Sequence, residues 1–163
     1  MPELPEVEAV ARTLRPLVEQ QKIRCVHILH AIATKPQNPS LLARMAQDQQ
    51  IKWVERKGKY LWLQLTRGII TFHFKLDGQL LWFPTAKKML ALANQPDIGV
   101  HVDIAFELNK SVLAFADSRH FGRVQVWESA AACPALAGLG VDALSPISQR
   151  PDSKSSLPFR SAP

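Results

Sequence analysis

Residues 51–83, IKWVERKGKYLWLQLTRGIITFHFKLDGQLLWF, alternate between apolar and polar side chains in short runs. An alternation with period two is typical of a half-buried β-strand. The pattern predicts strands at Ile51–Lys57, Tyr60–Leu65, Ile69–Phe74 and Gln79–Phe83. Arg67-Gly68 and Asp77-Gly78 separate consecutive runs and are predicted to form turns, and Asp-Gly between apolar runs indicates a β-hairpin.

The same period continues on both sides of this stretch. Further strands are predicted at Lys22–Ala31, Val102–Leu108, Ser111–Ala116 and Phe121–Trp127, with a hairpin turn at Asn109-Lys110. Residues 84–99 contain two prolines and the basic pair Lys87-Lys88, and are predicted to form a loop. The fold class is therefore α+β, mainly β: a two-layer β-sandwich or flattened barrel.

Two helices accompany these strands. From Pro5 to about Gln20, apolar residues recur at helical spacing and predict an amino-terminal amphipathic helix, which Pro16 is expected to distort or shorten. Asn38-Pro39 places a capping residue and a proline at the start of a short inserted helix that runs through Met45.

Composition limits the class of protein. The 163 residues have 47% hydrophobic content and a net charge of +6, with a pI near 9.6. This length suits one domain with a substantial core, and the charge favours a polyanionic partner. No apolar run approaches the ~20 residues needed to cross a bilayer, and the amino terminus lacks the apolar region of a signal peptide. Cys25 and Cys133 have no zinc or disulfide spacing, which suits a reducing cytoplasm.

The first six residues, Met1-Pro2-Glu3-Leu4-Pro5-Glu6, place two prolines and two carboxylates directly before the helix. Prolines and acids also begin ordinary helices, so a purely structural explanation stays open. If Met1 is removed, however, Pro2 carries a terminal secondary amine. An α-amine has a pKa near 7.7–8.0 and is partly a free base at neutral pH, so it can serve as a nucleophile.

Three further segments could contact a nucleic acid. Residues 52–60 hold four basic side chains and one acid, which suits either a solvated strand end or phosphate neutralisation. In residues 69–75, alternation places Thr71, His73 and Lys75 on one face, either as a nucleic-acid surface or as an ordinary half-solvated strand. Residues 117–123 place Phe121 between cationic groups, which suits insertion into a base stack, although Phe121 could also be a core residue.

These motifs occur together in a known family. The octet Met-Pro-Glu-Leu-Pro-Glu-Val-Glu at 1–8, Arg-Lys-Gly-Lys-Tyr-Leu at 56–61 and Asp-Ser-Arg-His-Phe-Gly at 117–122 stand in the family's order and separations. Over residues 1–146 the chain resembles the amino-terminal catalytic domain of bacterial formamidopyrimidine-DNA glycosylase, a base-excision repair enzyme related to endonuclease VIII. The resemblance implies a β-sandwich flanked by helices that acts on oxidised purines in double-stranded DNA.

The resemblance also implies roles for individual residues. Pro2 would attack C1′ of the damaged nucleoside and form a Schiff base, with Glu3 as the assisting acid and Glu6 anchoring the helix start. Lys59 would contact phosphate and donate a proton in β-elimination. Arg119 would face the orphaned base, and Phe121 would fill the gap left by the flipped lesion.

The chain departs from the family pattern at residues 73–78. The family's usual His-Leu-Gly-Met-Ser-Gly is here His73-Phe74-Lys75-Leu76-Asp77-Gly78. Leu76 replaces the methionine that fills the vacated base space and stays apolar. Lys75 and Asp77 replace small residues, so both the preferred lesion and the close approach to DNA are open. His73, Lys75 and Leu76 are the predicted DNA contacts of this segment.

Segments of the full-length family are missing from this sequence. Neither the helix–two-turn–helix domain nor the four-cysteine zinc finger follows residue 146, so no metal or cofactor is expected in this chain. Residues 147–163 are rich in Ser and Pro and are predicted to be a disordered tail, as a frameshift or early stop would leave.

Two readings of function follow. The first is a cytoplasmic, nucleoid-associated glycosylase with abasic-site lyase activity. The second is a truncated, non-catalytic DNA-binding fragment or inert gene remnant of that enzyme. A membrane partner is not expected, and the oligomeric state stays open.

Overall fold

The described part of the chain is built mainly of antiparallel strands. We used a computed structural model, which describes residues 4–93 and 101–137. Its strands are β1 (Ile23–Ile28), β2 (Ile51–Lys57), β3 (Tyr60–Leu65), β4 (Ile69–His73), β5 (Gln79–Phe83), β6 (Val102–Leu108), β7 (Val112–Ala116) and β8 (Arg123–Trp127). Its helices are α1 (Leu4–Val18), α2 (Pro39–Ala46), α3 (Ala86–Ala93) and α4 (Pro134–Ala137).

The strands form two four-stranded sheets that pack face to face. The first sheet has the order β1-β6-β7-β5 and the second has the order β2-β3-β4-β8. Phe72 from the second sheet meets Phe106 and Phe115 from the first, each with ring centroids 6.0 Å apart. Within the described residues the sheets do not close into a barrel. The prediction of an α+β, mainly β sandwich is therefore confirmed, and the flattened barrel is not formed.

Both predicted helices are present. Helix α1 buries Val7, Ala11, Leu14 and Val18, the stripe expected from its periodicity, and packs mainly against β2. Pro16 lies within the last turn and does not break the helix before Val18. At the start of α2, the Asn38 side chain accepts a hydrogen bond from the Ser40 amide at 2.9 Å, as expected for a helix cap.

The predicted Asp77-Gly78 hairpin is wrong. Strand β4 belongs to the second sheet, whereas β5 pairs with β7 in the first, so residues 74–78 cross between the sheets. The Gly78 amide donates to the Phe74 carbonyl at 2.9 Å, which turns the chain tightly out of β4. A Cβ at Gly78 would lie 2.6 Å from that same carbonyl oxygen, so this close turn requires glycine. By contrast, the Arg67-Gly68 and Asn109-Lys110 turns do join paired strands.

The predicted loop at 84–99 is also wrong in its first half, where α3 forms. The Thr85 hydroxyl accepts a hydrogen bond from the Lys88 amide at 3.2 Å and caps this helix, and its sequence AKKMLALA consists of strong helix formers. The other predicted strands differ only at their ends; β8, for example, begins at Arg123 and leaves Phe121 in the preceding connection. Residues 94–99, and the predicted disordered tail at 147–163, lie outside the described residues.

Candidate functional site

Strand register gathers the sequence motifs at one end of the sandwich. In the second sheet, Lys57 pairs with Tyr60, Tyr60 with His73, and His73 with Arg123, which forms one row across all four strands. The connections that leave from this row are the two-residue turn 58–59 and the segments 74–78 and 117–122. They carry Lys59, Leu76 and Phe121, so the predicted residues are brought to a common edge.

Two of these connections cross between the sheets and touch the same aromatic ring. Segment 74–78 leads from the second sheet to the first, and segment 117–122 leads back. A Cβ at Gly78 would lie 3.0 Å from Cζ of Phe115, and a Cβ at Gly122 would lie 2.7 Å from the same atom. The absence of side chains at these glycines therefore lets both crossovers pack directly on Phe115.

A buried carboxylate shapes the second crossover. Asp117 is 1% exposed and accepts hydrogen bonds from the amides of Arg119, at 3.1 Å, and Gly122, at 2.6 Å. Lys75 and His120 adopt positive φ angles of 56° and 57°, a conformation that is costly for residues other than glycine. Strained residues held by their surroundings are frequent at functional sites. Here Lys75 directly precedes Leu76, and His120 directly precedes Phe121, and both of these apolar side chains are exposed.

Those exposed side chains share one hollow. Leu76 is 44% exposed and Phe121 is 50% exposed, and both line a cavity of about 370 Å³ together with Lys75 and Arg123. Large apolar side chains between cationic groups suit a ligand that is both anionic and able to stack, such as a nucleic acid. Leu76 and Phe121, each predicted separately to contact DNA, therefore line the same hollow.

Arg119 lies beside this hollow and is held by an acid. Its Nε is 2.8 Å from Oδ2 of Asp77, and the Ser118 hydroxyl lies 3.4 Å from the same oxygen. The Arg119 side chain remains 61% exposed. Asp77, one of the departures from the family pattern, therefore neutralises part of the charge that Arg119 could offer to DNA.

His73 lies deeper than the sequence pattern suggested. Its ring packs on Tyr60 with centroids 4.4 Å apart. Burial, followed by the positive charges of Lys75 and Lys59, lowers the pKa of His73 to about 4, so the ring is neutral at pH 7.

The predicted polar face of residues 69–75 is not a continuous surface. Thr71 is 2% exposed, and its hydroxyl accepts a hydrogen bond from Trp127 Nε1 at 3.0 Å. The outer face of the second sheet is covered here by a cluster that includes Trp62, Cys133 and Leu136. Of the three predicted polar residues only Lys75 is exposed, because a cluster distant in sequence covers the strand at Thr71.

The catalytic predictions are placed only in part. Pro2 and Glu3 lie outside the described residues. Glu6 is exposed in the first turn of α1, and Lys59 is half-buried at the tip of the β2–β3 turn. Within residues 4–93 and 101–137, no group of three or more His, Cys, Asp or Glu side chains could hold a metal ion. No helix in those ranges is long and apolar enough to span a membrane.

Two contacts near the site were not predicted. Asp103 is fully buried, with Oδ1 3.0 Å from Nδ1 of His120, and burial raises the pKa of this carboxyl while His120 opposes the rise. Glu8 forms an ion pair with Arg56 at 2.9 Å. The sequence holds only weak signals for these two contacts. Asp103 is a lone acid in the apolar run of residues 102–106, and Glu8 and Arg56 belong to two separate motifs.

Comparisons with known proteins agree with this architecture. Residues 1–124 match the family model of the formamidopyrimidine-DNA glycosylase amino-terminal domain. Formamidopyrimidine-DNA glycosylase of Burkholderia ambifaria is 34% identical over 151 residues, which are 90% of this chain and 52% of that protein. The Moorella thermoacetica protein of the same name is 31% identical over 150 residues, with the same coverage. The chain thus spans about half the length of the curated relatives it matches.

Solved structures give the same fold. Lactococcus lactis formamidopyrimidine-DNA glycosylase, non-covalently bound to DNA containing an abasic site, superposes with a TM-score of 0.70 at 22% identity, covering 83% of this chain and 49% of that one. The same Lactococcus enzyme bound to DNA containing N7-benzyl-Fapy-dG has a TM-score of 0.70 and covers 84% of this chain and 48% of that one. On the strength of the family match over residues 1–124, the chain belongs to the formamidopyrimidine-DNA glycosylase family.

Proposed function

We propose that this chain supplies the catalytic domain of a base-excision repair glycosylase with abasic-site lyase activity, acting on oxidised purines in duplex DNA. The observation that supports the proposal best is the single row of strand ends that brings Lys59, Leu76, Arg119 and Phe121 to one edge. The solved relatives bound to abasic-site and Fapy-containing DNA support the substrate class. The proposed setting is the bacterial cytoplasm, at the nucleoid.

The chemistry begins at the amino terminus. After removal of Met1, the lone pair of the Pro2 nitrogen attacks C1′ of the damaged nucleoside, and the bond from C1′ to the base breaks, with the departing base accepting a proton. The Pro2 nitrogen loses the proton that the departing base takes up, and Glu3 gives a proton to the sugar ring oxygen as the ring opens. Because Pro2 is a secondary amine, the product is an iminium ion, C1′=N⁺, whose nitrogen carries no proton. Glu6, in the first turn of α1, supports the helix start that presents the amine.

Strand scission follows from the imine. Loss of a proton from C2′ to solvent converts the iminium ion to an enamine, and the electrons of the enamine then expel the 3′ phosphate and restore a conjugated iminium ion. Lys59 contacts phosphate and supplies a proton in this β-elimination, and water then hydrolyses the imine and frees Pro2. His73 is neutral at pH 7, so it can accept or donate a hydrogen bond beside Lys59 without adding charge.

The hollow next to this centre would hold the duplex open. Phe121 and Leu76 would enter the stack where the lesion leaves, and Arg119 would face the base left opposite. Lys75 and Arg123, which line the same hollow, would lie against the phosphates that border the gap. The described geometry supports these roles because Lys75, Leu76, Arg119 and Phe121 lie on the two crossovers and Arg123 begins the strand that follows the second one.

A borohydride trap tests the proposal. The purified chain with Met1 removed is incubated with duplex DNA that carries an abasic site or an oxidised guanine, and borohydride then reduces any imine to a stable adduct. We expect an adduct with the free amino terminus and none when an amino-terminal extension blocks the Pro2 nitrogen. No adduct at high protein concentration would instead favour the non-catalytic fragment.

Two substitutions test individual roles. Glu3→Gln should slow base excision far more than it weakens DNA binding, and equal losses in both assays would contradict an acid role for Glu3. Lys59→Ala should weaken DNA binding and make the slope of log K against log salt concentration shallower, by the amount expected for the loss of about one phosphate contact. Lys110→Ala, a lysine in the β6–β7 turn, is the matched control and should leave that slope unchanged.

A further inference from the structure

A bridge of side chains joins α1 to the turn that carries Lys59. Arg56 donates from Nε to Oε1 of Glu8 at 2.9 Å and from Nη1 to the Gly58 carbonyl at 3.1 Å. Glu8 lies one turn inside α1, and Gly58 directly precedes Lys59. A single guanidinium therefore links the helix that follows the proposed nucleophile to the backbone beside the proposed proton donor.

Two other arginines approach the Glu8 carboxylate at longer distances than Arg56 does. Its second carboxylate oxygen, Oε2, is 3.7 Å from Nη2 of Arg12 and 3.7 Å from Nη1 of Arg15. Arg15 in turn donates to the Val54 carbonyl at 3.1 Å and lies 3.8 Å from Oε1 of Glu55, so it fixes α1 against β2. By contrast, the Arg12 side chain is 68% exposed. The bridge through Arg56 reaches the 58–59 turn at the Gly58 carbonyl.

Burial and geometry favour a positioning role over a mainly stabilising one. The side chains of Glu8 and Arg56 are 30% and 29% exposed, so water screens the attraction and its contribution to folding is small. The forked guanidinium, however, fixes direction as well as distance, because it donates to two acceptors on different elements. Small displacements of catalytic groups, on the order of 1 Å, can slow a reaction by about 100-fold.

We propose that Glu8 and Arg56 are positioning residues that set the placement of Lys59 relative to the amino-terminal amine. This inference rests on the proposed function, since it concerns the two groups assigned there as nucleophile and proton donor. This role requires no contact of the bridge with DNA or with the reacting atoms. Its effect is to keep the helix start and the hairpin tip in one geometry while the imine forms and the strand is cut.

A double-mutant cycle tests the bridge. Glu8→Gln, Arg56→Gln and the double variant are compared with the unaltered chain by the rate of strand cleavage at saturating abasic-site DNA, by borohydride trapping of the adduct, by the dissociation constant, and by thermal unfolding. Arg12→Gln is the matched control, because it contacts the same carboxylate but does not reach the 58–59 turn. Arg56→Lys keeps the charge but not the fork.

We expect each single variant to slow the saturating rate roughly 10- to 100-fold, with dissociation constants within about threefold of the unaltered chain. The double variant should be no slower than the slower single variant, since either change breaks the same bridge. Arg56→Lys should recover only part of the rate, and Arg12→Gln should stay within about twofold.

Different results separate this inference from the proposed function. Independent, multiplicative losses in the double variant, or a rate loss for Arg12→Gln equal to that for Arg56→Gln, would overturn the bridge while leaving the proposed function intact. A loss of rate that is explained by a lowered melting temperature would also overturn the bridge and leave the proposed function intact. An unaltered chain that forms no adduct would overturn the proposed function and this inference together.

Discussion

Replacement of Phe121 by alanine should separate DNA affinity from folding stability. Phe121 is 50% exposed, so only about half of the burial energy of a phenylalanine, about 1 kcal/mol, is lost from the folded chain. If its ring stacks on a base in the opened duplex, the loss on binding is about 1–3 kcal/mol. This corresponds to a dissociation constant that is about 5- to 150-fold higher.

The assay is fluorescence anisotropy with a duplex that contains an abasic site, with thermal unfolding measured in parallel. Leu90 is the matched control, because it is 51% exposed and lies on α3, outside the hollow. Leu90→Ala should lower the melting temperature by a similar few degrees and leave the affinity unchanged. If Phe121→Ala binds as tightly as Leu90→Ala, the interpretation of Phe121 as a wedge is wrong.

Three other changes probe the surroundings of the wedge. Asp77→Asn should tighten DNA binding by about two- to fivefold at low salt, because it releases Arg119 from an ion pair 2.8 Å long, and the gain measured by anisotropy should shrink as salt is added. The pKa of His73 falls from 6.5 to about 4 in the folded chain, so the unfolded chain binds more protons between these values and stability is lost as pH falls through this window. With a discount for the partial exposure of the ring, the free energy of unfolding measured with urea should fall by about 1–2 kcal/mol over this window. The same pH dependence in His73→Gln would contradict this account. Gly122→Ala should cost about 1–3 kcal/mol in the same assay, because its Cβ would lie 2.7 Å from Phe115, and an unchanged urea midpoint would show that the ring yields freely.

The strands could be predicted from the sequence because their signal is local. Alternation within 51–83 identified four strands, and the helical stripe from Val7 to Val18 identified α1. The sheet that each strand joins could not be predicted in this way, since it depends on pairing between distant segments. Asp77-Gly78 has the local chemistry of a hairpin, but pairing of β5 with β7 places the next strand in the other sheet.

The candidate site could be predicted only in part. Phe121 stood out because an aromatic side chain between cationic groups and beside glycine suits insertion into a base stack, whereas the role of Lys59 was implied only by the resemblance to the family. The ion pairs near the site were not predicted, because Asp103 meets His120, and Glu8 meets Arg56, across long separations in the chain. Periodicity reports which face a residue occupies, and it carries no information about such pairs.

The two crossovers described above restrict how this domain can change during evolution. A loop at a hairpin tip can gain or lose residues with little effect on the sheet, but segments 74–78 and 117–122 are short connections between the two layers. Insertion or deletion in either segment would shift Gly78 or Gly122 off Phe115 and disturb the packing of the layers. Relatives with different lesion preferences should therefore differ here by side-chain replacement at constant length, as Lys75 and Asp77 already illustrate, and libraries built to alter specificity should vary identity and keep length.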